Sequence, residues 1–279
     1  MRLIFRGTTD LPLDLDRIDP SVVRDRNAVD VARLSVPVGN QTAEIGDLFE
    51  VDDSGPESLT FVGDLSHARG LGSRMTEGSL VIRGNAGQGV GSGMTGGAID
   101  VHGDVGDFAG AEIRGGRLTI HGSAGYGLGT AYPGSRIGMR DGVILVHGSA
   151  GQDVGFKMRR GLIAVLGDVG DSLGRGLIAG SIFVFGGVGR YPGLGMKRGT
   201  IGLFGTGMPD FLPWFEPTGR FRLPFLSIYL RQVARWGFPV PPEIFDEEVD
   251  RYNGDVIEGG IGEILVGNAG GTRRVVDES

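Results

Sequence analysis

The chain has no cysteine. That excludes disulfides, thiolate-held zinc and iron–sulfur ligation by its own side chains. Lysine is nearly missing too: Lys157 and Lys197 are two of 27 basic residues, so 25 are arginine. This bias fits a GC-rich genome and says nothing of function. A basic surplus is also missing, because the net charge is −7; nucleic acid is therefore not an expected partner. No apolar run approaches the roughly 20 residues that span a bilayer, and Met-Arg-Leu-Ile-Phe-Arg lacks the pattern of a secretory leader. The expectation is a cytoplasmic protein with no membrane contact.

What is present is glycine, 54 of 279 residues, against an average usage of about 7%. It follows neither collagen's period of three nor a disordered composition, since 40% of the residues are apolar. The stretch Ser79–Gly97 shows why. It returns about every 19 residues between Leu59 and Gly205, with anchor glycines Gly63, Gly84, Gly103, Gly122, Gly148, Gly167, Gly186 and Gly205. Four and two residues before each anchor stands an apolar pair, from Leu59/Phe61 and Leu80/Ile82 to Ile182/Val184 and Ile201/Leu203. Alternation with period two is a strand with one face inward. Further glycine columns follow, such as Gly87, Gly91 and Gly97 after Gly84. Between them runs a column of Met75, Met94, Ile113, Met139, Met158, Leu177 and Met196. Such self-similarity is the mark of stacked repeats. The pattern predicts an all-β chain, a parallel β-helix of about 7–8 coils. Stacked about 4.8 Å apart, its coils would form a prism roughly 34 Å long. The glycines would take corners, and the methionine column would fill the core.

Three parts are expected: an N-terminal cap at 1–58, glycine-rich repeats at 59–207, and a C-terminal excursion with a final coil at 208–279. In the first part, Leu3-Ile4-Phe5, Val31–Val36 and Ile45–Val51 read as strands, Ser21-Val22-Val23 as a short helix, and Gly39-Asn40 as a turn. In the last, Leu226–Trp236 has helical spacing that Gly237 would stop. Glu243–Tyr252 is an acidic segment that could form a second short helix. Gly267-Asn268-Ala269-Gly270 copies Gly84-Asn85-Ala86-Gly87, which would make it the anchor of one last coil with Glu263 at a position apolar elsewhere. Seven residues inserted in the fourth repeat, near Tyr126–Gly134, read equally as a binding loop or a tolerated surface loop.

Candidate chemistry is sparse. Arg83, His102, His121 and His147 each precede an anchor and should stack outside one sheet. A metal ladder is one reading. Simple repetition is the stronger one, since no carboxylate or cysteine joins the histidines at ligand spacing, and no metal site is expected. The same outer columns turn apolar further on, through Leu145, Ala164, Leu166, Phe183, Phe185 and Phe204. A patch of that kind needs a cover, which the excursion should partly supply. Arg114, Arg140, Arg159, Arg160, Lys197 and Arg198 follow the methionine column as a basic ridge. It could dock a polyanion, though a solvated edge that resists strand addition is the simpler reading. Gly87-Gln88-Gly89-Val90-Gly91 has phosphate-loop character, but no helix follows it, so a nucleotide fold is rejected. No catalytic residue is identified, and cofactor-binding residues remain unknown.

The columns around Gly84, Gly87, Gly91 and Gly97 resemble the repeats shared by the C-terminal domain of the glutamate synthase large subunit and the C subunit of formylmethanofuran dehydrogenase. With Val38-Gly39-Asn40 and Gly46-Asp47-Leu48-Phe49 ahead of the repeats, the chain is similar to that C subunit over nearly its whole length. The bacterial version of the family, the C (gamma) subunit of the formyltransferase/hydrolase complex of methylotrophs, is the member that the arginine bias favours. The resemblance implies a right-handed β-helix that does no chemistry itself. It implies a hetero-oligomer with formyltransferase, hydrolase and a further subunit, which moves formyl from formyl-tetrahydromethanopterin to a methanofuran-type carrier and releases formate. Carrier and pterin would bind partner subunits, with no cofactor on this chain. The corresponding polypeptide of the archaeal dehydrogenase and a glutamate synthase-related accessory protein are the alternatives.

Overall fold

The computed structural model describes residues 1–7, 11–53 and 58–267. The first part of the chain holds β1 (Arg2–Phe5), β2 (Leu13–Asp14), α1 (Pro20–Val23), α2 (Ala28–Ala32), β3 (Ser35–Val38), β4 (Gln41–Glu44), α3 (Ile45–Leu48) and β5 (Phe49–Asp52). Two segments expected to be strands begin instead as helices. Asn27 caps α2, its side chain accepting from the Asp30 amide at 3.0 Å. In front of α3 the Asp47 carboxylate accepts from the Glu44 amide at 3.1 Å. Each local bond satisfies an amide that a strand ladder would otherwise have to pair. The strands follow two or more residues later than the apolar pattern suggests. The Gly39-Asn40 turn joins β3 to β4 as expected, with Gly39 at φ +57°.

The repeats supply β6 (Leu59–Val62), β7 (Ala68–Arg69), β8 (Ser79–Arg83), β9 (Ala98–Val101), β10 (Arg114–Ile120), β11 (Asp141–Val146), β12 (Leu162–Val165), β13 (Ser181–Val184) and β14 (Thr200–Leu203). After them come β15 (Glu216–Phe221), α4 (Pro224–Arg235), a short 3₁₀ helix (Pro242–Asp246), β16 (Val249–Asn253) and β17 (Glu263–Val266). Gly237, at φ +87°, ends the α4 segment as expected. The acidic Glu243–Tyr252 segment differs from expectation: its helical part is confined to the 3₁₀ turn, and the rest joins a sheet. Strands dominate, and no helix among the described residues is long and apolar enough to cross a membrane.

One 13-stranded sheet runs in the order β15-β16-β17-β14-β13-β12-β11-β10-β9-β8-β6-β1-β5. Its interior is parallel and in register, for example Ile163 opposite Ile144 on one side and Ile182 on the other. Its two ends turn antiparallel, at β1–β5 and at β17–β16–β15. A second line of parallel bridges links Leu65, Ala86, Val105, Ala124, Ala150, Val169 and Val188. A third line passes through the residue after the methionine column, as in Arg159 N–H to the Met139 carbonyl at 2.8 Å. A fourth joins glycine corners to the preceding repeat, as in Gly174 N–H to the Val154 carbonyl at 2.8 Å. Successive repeats are thus hydrogen-bonded along four separate lines.

Between these lines lies one continuous core. The strand pairs, the methionine column and the bridge column up to Val169 are buried in it, with Val188 packed against its edge and Met94, Met139, Met158 and Met196 at 0% exposure. Leu3, Val31, Ile45 and Phe49 close one end of the same cluster, and Phe215, Ile264 and Val266 the other. The glycine columns have two different causes. At Gly205 a Cβ would lie 1.9 Å from the Gly186 carbonyl oxygen, so close approach of two backbones demands glycine. Gly174 instead needs φ +64°, a conformation that L side chains rarely adopt.

The last strand corrects the expected repeat register by one residue. Ile264 pairs with Ile201 and Val266 with Leu203, so Gly267 falls at the position equivalent to Phe204, one residue short of an anchor. Asn268–Gly270 lie outside the described residues. The shift turns Ile264 and Val266 inward and takes Glu263 out of the core, where it accepts from the Thr200 hydroxyl at 2.7 Å. A one-residue slip exchanges the two faces of a strand, and burying a carboxylate would have cost far more than burying isoleucine.

Candidate functional site

The outer face of the large sheet changes character along its length. Each outward residue is fixed by period-two alternation, and each is set over its neighbour by the parallel rungs. At the apolar end Leu145, Ala164, Phe183, Phe204 and Leu265 are buried under Leu226, Leu230 and Val233 of α4 with Phe238, Val240 and Ile244. The excursion therefore covers most of the patch that the repeats alone would leave bare. What it leaves exposed is a new apolar surface on α4 itself, with Ile228 68% and Tyr229 46% exposed.

The boundary falls at His147. Its ring meets Phe238 edge-on at 5.5 Å and His121 at 4.7 Å. Burial disfavours the charged imidazole, and neighbouring His121 adds to the effect, so His147 titrates below the usual histidine range despite an opposing pull from Asp100. Beyond it the histidines form the expected stack: His102 and His121 lie with centroids 4.8 Å apart and planes 19° apart. One expectation is overturned here. A carboxylate does join them. Asp100 Oδ1 is 2.8 Å from His121 Nε2, and Oδ2 is 3.8 Å from His102 Nε2. The signal was available, since Asp100 stands two residues before His102 on the same outward face, but repetition obscured it because no other repeat has a carboxylate there.

The basic ridge forms as anticipated. Arg114, Arg140 and Arg159 follow one another on adjacent rungs, with Arg140 N–H bonded to the Ile113 carbonyl at 2.7 Å. They are exposed, as are Arg160, Lys197 and Arg198. Lys197 approaches Glu258 at 3.6 Å.

Sequence reasoning missed a third cluster. Arg175 makes a two-pronged bond to Asp153, and the Tyr126 hydroxyl donates to the same carboxylate at 2.9 Å. The guanidinium also lies 3.9 Å above the Phe156 ring. The inserted loop closes against this edge: Tyr132 packs on Phe108 at 5.2 Å and bonds through its hydroxyl to Ser92 at 2.8 Å. The loop is packed down over two earlier repeats. These partners come from separate repeats and fall at no fixed sequence spacing.

The fold and its surface define an all-β repeat protein with a long parallel ladder, one outer face half covered by its own C-terminal segment, and an exposed His/Asp group beside that cover. No family model matches the chain. In the formyltransferase/hydrolase complex (FhcABCD) from Methylorubrum extorquens, crystallised in complex with methylofuran, one chain superposes with a TM-score of 0.88 at 31% identity, covering 95% of this chain and 99% of that one. Among curated relatives, the C subunit of tungsten-containing formylmethanofuran dehydrogenase 2 of Methanococcus maripaludis is 28% identical over 87 residues. The C subunit of molybdenum-containing formylmethanofuran dehydrogenase 1 of Methanosarcina barkeri is 37% identical over 90. Those matches cover 30% of this chain and 32% and 30% of the two relatives, so the chain spans about a third of the curated proteins it matches. The chain belongs to the family of C subunits found in formylmethanofuran dehydrogenases and formyltransferase/hydrolase complexes.

Proposed function

We propose that this chain is a scaffold subunit of a formyltransferase/hydrolase complex and is wound as a right-handed parallel β-helix of seven to eight coils. The likeness that spans 99% of a chain of such a complex carries this reading. The four lines of repeat-to-repeat hydrogen bonds support the winding, because a chain that bonds to its neighbour on every side of the repeat must return to its starting side each time. On this reading residues 1–58 cap one end, 59–207 form the coils, and 208–279 fold back over the outer face and add the last coil. Capping follows from the physics: each end of such a stack has an open core and an open strand edge.

The complex as a whole moves formyl from formyl-tetrahydromethanopterin to a methanofuran-type carrier and releases formate, in the cytoplasm. The carrier and the pterin are held by partner subunits, and no catalytic residue lies on this chain. The exposed Ile228 and Tyr229 of α4 suit a contact between subunits. A second reading, the C subunit of a formylmethanofuran dehydrogenase, is favoured by the curated relatives.

Affinity purification from the native host, with mass spectrometry of what accompanies the chain, tests both. Formyltransferase and hydrolase subunits support the first reading. Molybdenum- or tungsten-dependent iron–sulfur subunits point to the second. A stable chain that travels alone and turns over a substrate by itself would overturn both.

A further inference from the structure

We propose that Asp100, His102 and His121 form a binding site for a divalent first-row transition ion of the zinc class. The geometry is a consequence of the parallel ladder. Adjacent rungs place His102 directly over His121, and the period of two puts Asp100 on the same face as His102. The three side chains offer two imidazole nitrogens and a carboxylate oxygen, all within 4.8 Å of one another. Both Nε2 atoms face the one carboxylate, at 2.8 and 3.8 Å, and the rings stack without splaying apart.

Ligands of a tetrahedral zinc ion lie about 2.0–2.2 Å from the metal and so roughly 3.4 Å from one another. The donors, now within 4.8 Å of one another, need shift by no more than about an ångström, the wider pairs drawing in and the 2.8 Å His121–Asp100 pair opening. The side chains of His102, His121 and Asp100 are 43%, 37% and 44% exposed and can rotate without disturbing the core. Two nitrogens and one carboxylate select zinc, nickel or copper over magnesium or calcium, which prefer all-oxygen sites. Three protein ligands leave a fourth position for water or for a donor from outside the chain. Nearby His147 is held toward its neutral form against Phe238 and lies outside the three-ligand group. A bound ion would tie β9 to the turn after β10 on the part of the outer face that α4 leaves uncovered. This inference does not depend on the proposed complex.

The test uses the full, tag-free chain after treatment with a chelator. Isothermal titration with Zn²⁺ and visible absorption with Co²⁺ should show one ion per chain at micromolar affinity, with no response to Mg²⁺. His102→Gln and His121→Gln should each weaken binding tenfold or more, and Asp100→Asn several-fold. His67→Gln, which alters the remaining histidine outside the stack, should leave it unchanged. Circular dichroism melts confirm that each variant folds. Binding no tighter than millimolar, or a one-to-one site that survives His121→Gln, overturns the proposal.

Discussion

Arg175 holds Asp153 through two parallel bonds of 2.7 and 2.8 Å. Burial works against the Asp153 charge, but the bonds from Arg175 and Tyr126, with the guanidinium's own charge, more than offset it and hold the carboxyl below its ordinary range. A carboxylate with a depressed folded pKa contributes stability that is present above its unfolded value, near 3.9, and is lost as pH falls through the folded value. Asp153→Asn should therefore melt below the parent at pH 7. The gap should close as pH falls below about 4, as thermal melts at a series of pH values will show. Removing one partner of a fully buried pair costs about 3–5 kcal/mol. Arg175 is 35% exposed, so on the order of 2 kcal/mol is expected here.

The α4 cover depends on Leu230, which is fully buried against the outer face of the sheet. Leu230→Ala removes that contact and leaves a cavity, with a cost of about 2–5 kcal/mol. Since Phe183 and Phe204 lie under the same cover, the variant should also bind more of a hydrophobic dye. A melt unchanged from the parent would show that the helix is not anchored there.

Glycine positions separate by cause. Gly205→Ala places a Cβ 1.9 Å from a backbone oxygen that belongs to the preceding rung, so the two rungs must part and β14 must lose its register. We expect misfolding or a melting temperature lowered by more than about 10 °C, since a clash with fixed backbone has no soft partner to yield. Gly7→Ala, where nothing lies within 4 Å and φ is not positive, should be neutral in the same assay.

The ridge makes the opposite prediction. Arg114, Arg140 and Arg159 sit on successive rungs, about 4.8 Å apart, and repel one another. Replacing all three with glutamine should change stability by less than about 1 kcal/mol, slightly upward at low salt. If the ridge is a solvated edge, assembly with partner subunits will survive the triple change. Loss of co-purified partners would instead mark it as a dock for an acidic surface.

Much of the architecture was legible because repetition turns one local pattern into a global constraint. Leu80/Ile82 and their counterparts, the methionine column and the glycine corners could each be read from spacing, since every residue stacks on its own equivalent. Outside the repeats, spacing no longer determines the structure. In the N-terminal segment Asn27 and Asp47 bond locally and convert apparent strands into helix starts. At the C-terminus the glycine match at Gly267 pointed one residue away from the register that Ile264 and Val266 set.

The sequence by itself determined the repeat, its period, the inward columns and the polarity gradient along the outer face, because these depend only on alternation and stacking. Tertiary structure alone decided which surfaces stay open and which side chains meet across repeats. The cover of α4 over Phe183, the joining of Tyr126, Asp153 and Arg175, and the approach of Asp100 to His121 all bring together groups separated by 20 residues or more. No fixed spacing encodes the first two; spacing puts Asp100 and His121 on one face, but side-chain reach closes their contact to 2.8 Å only once the rungs are stacked.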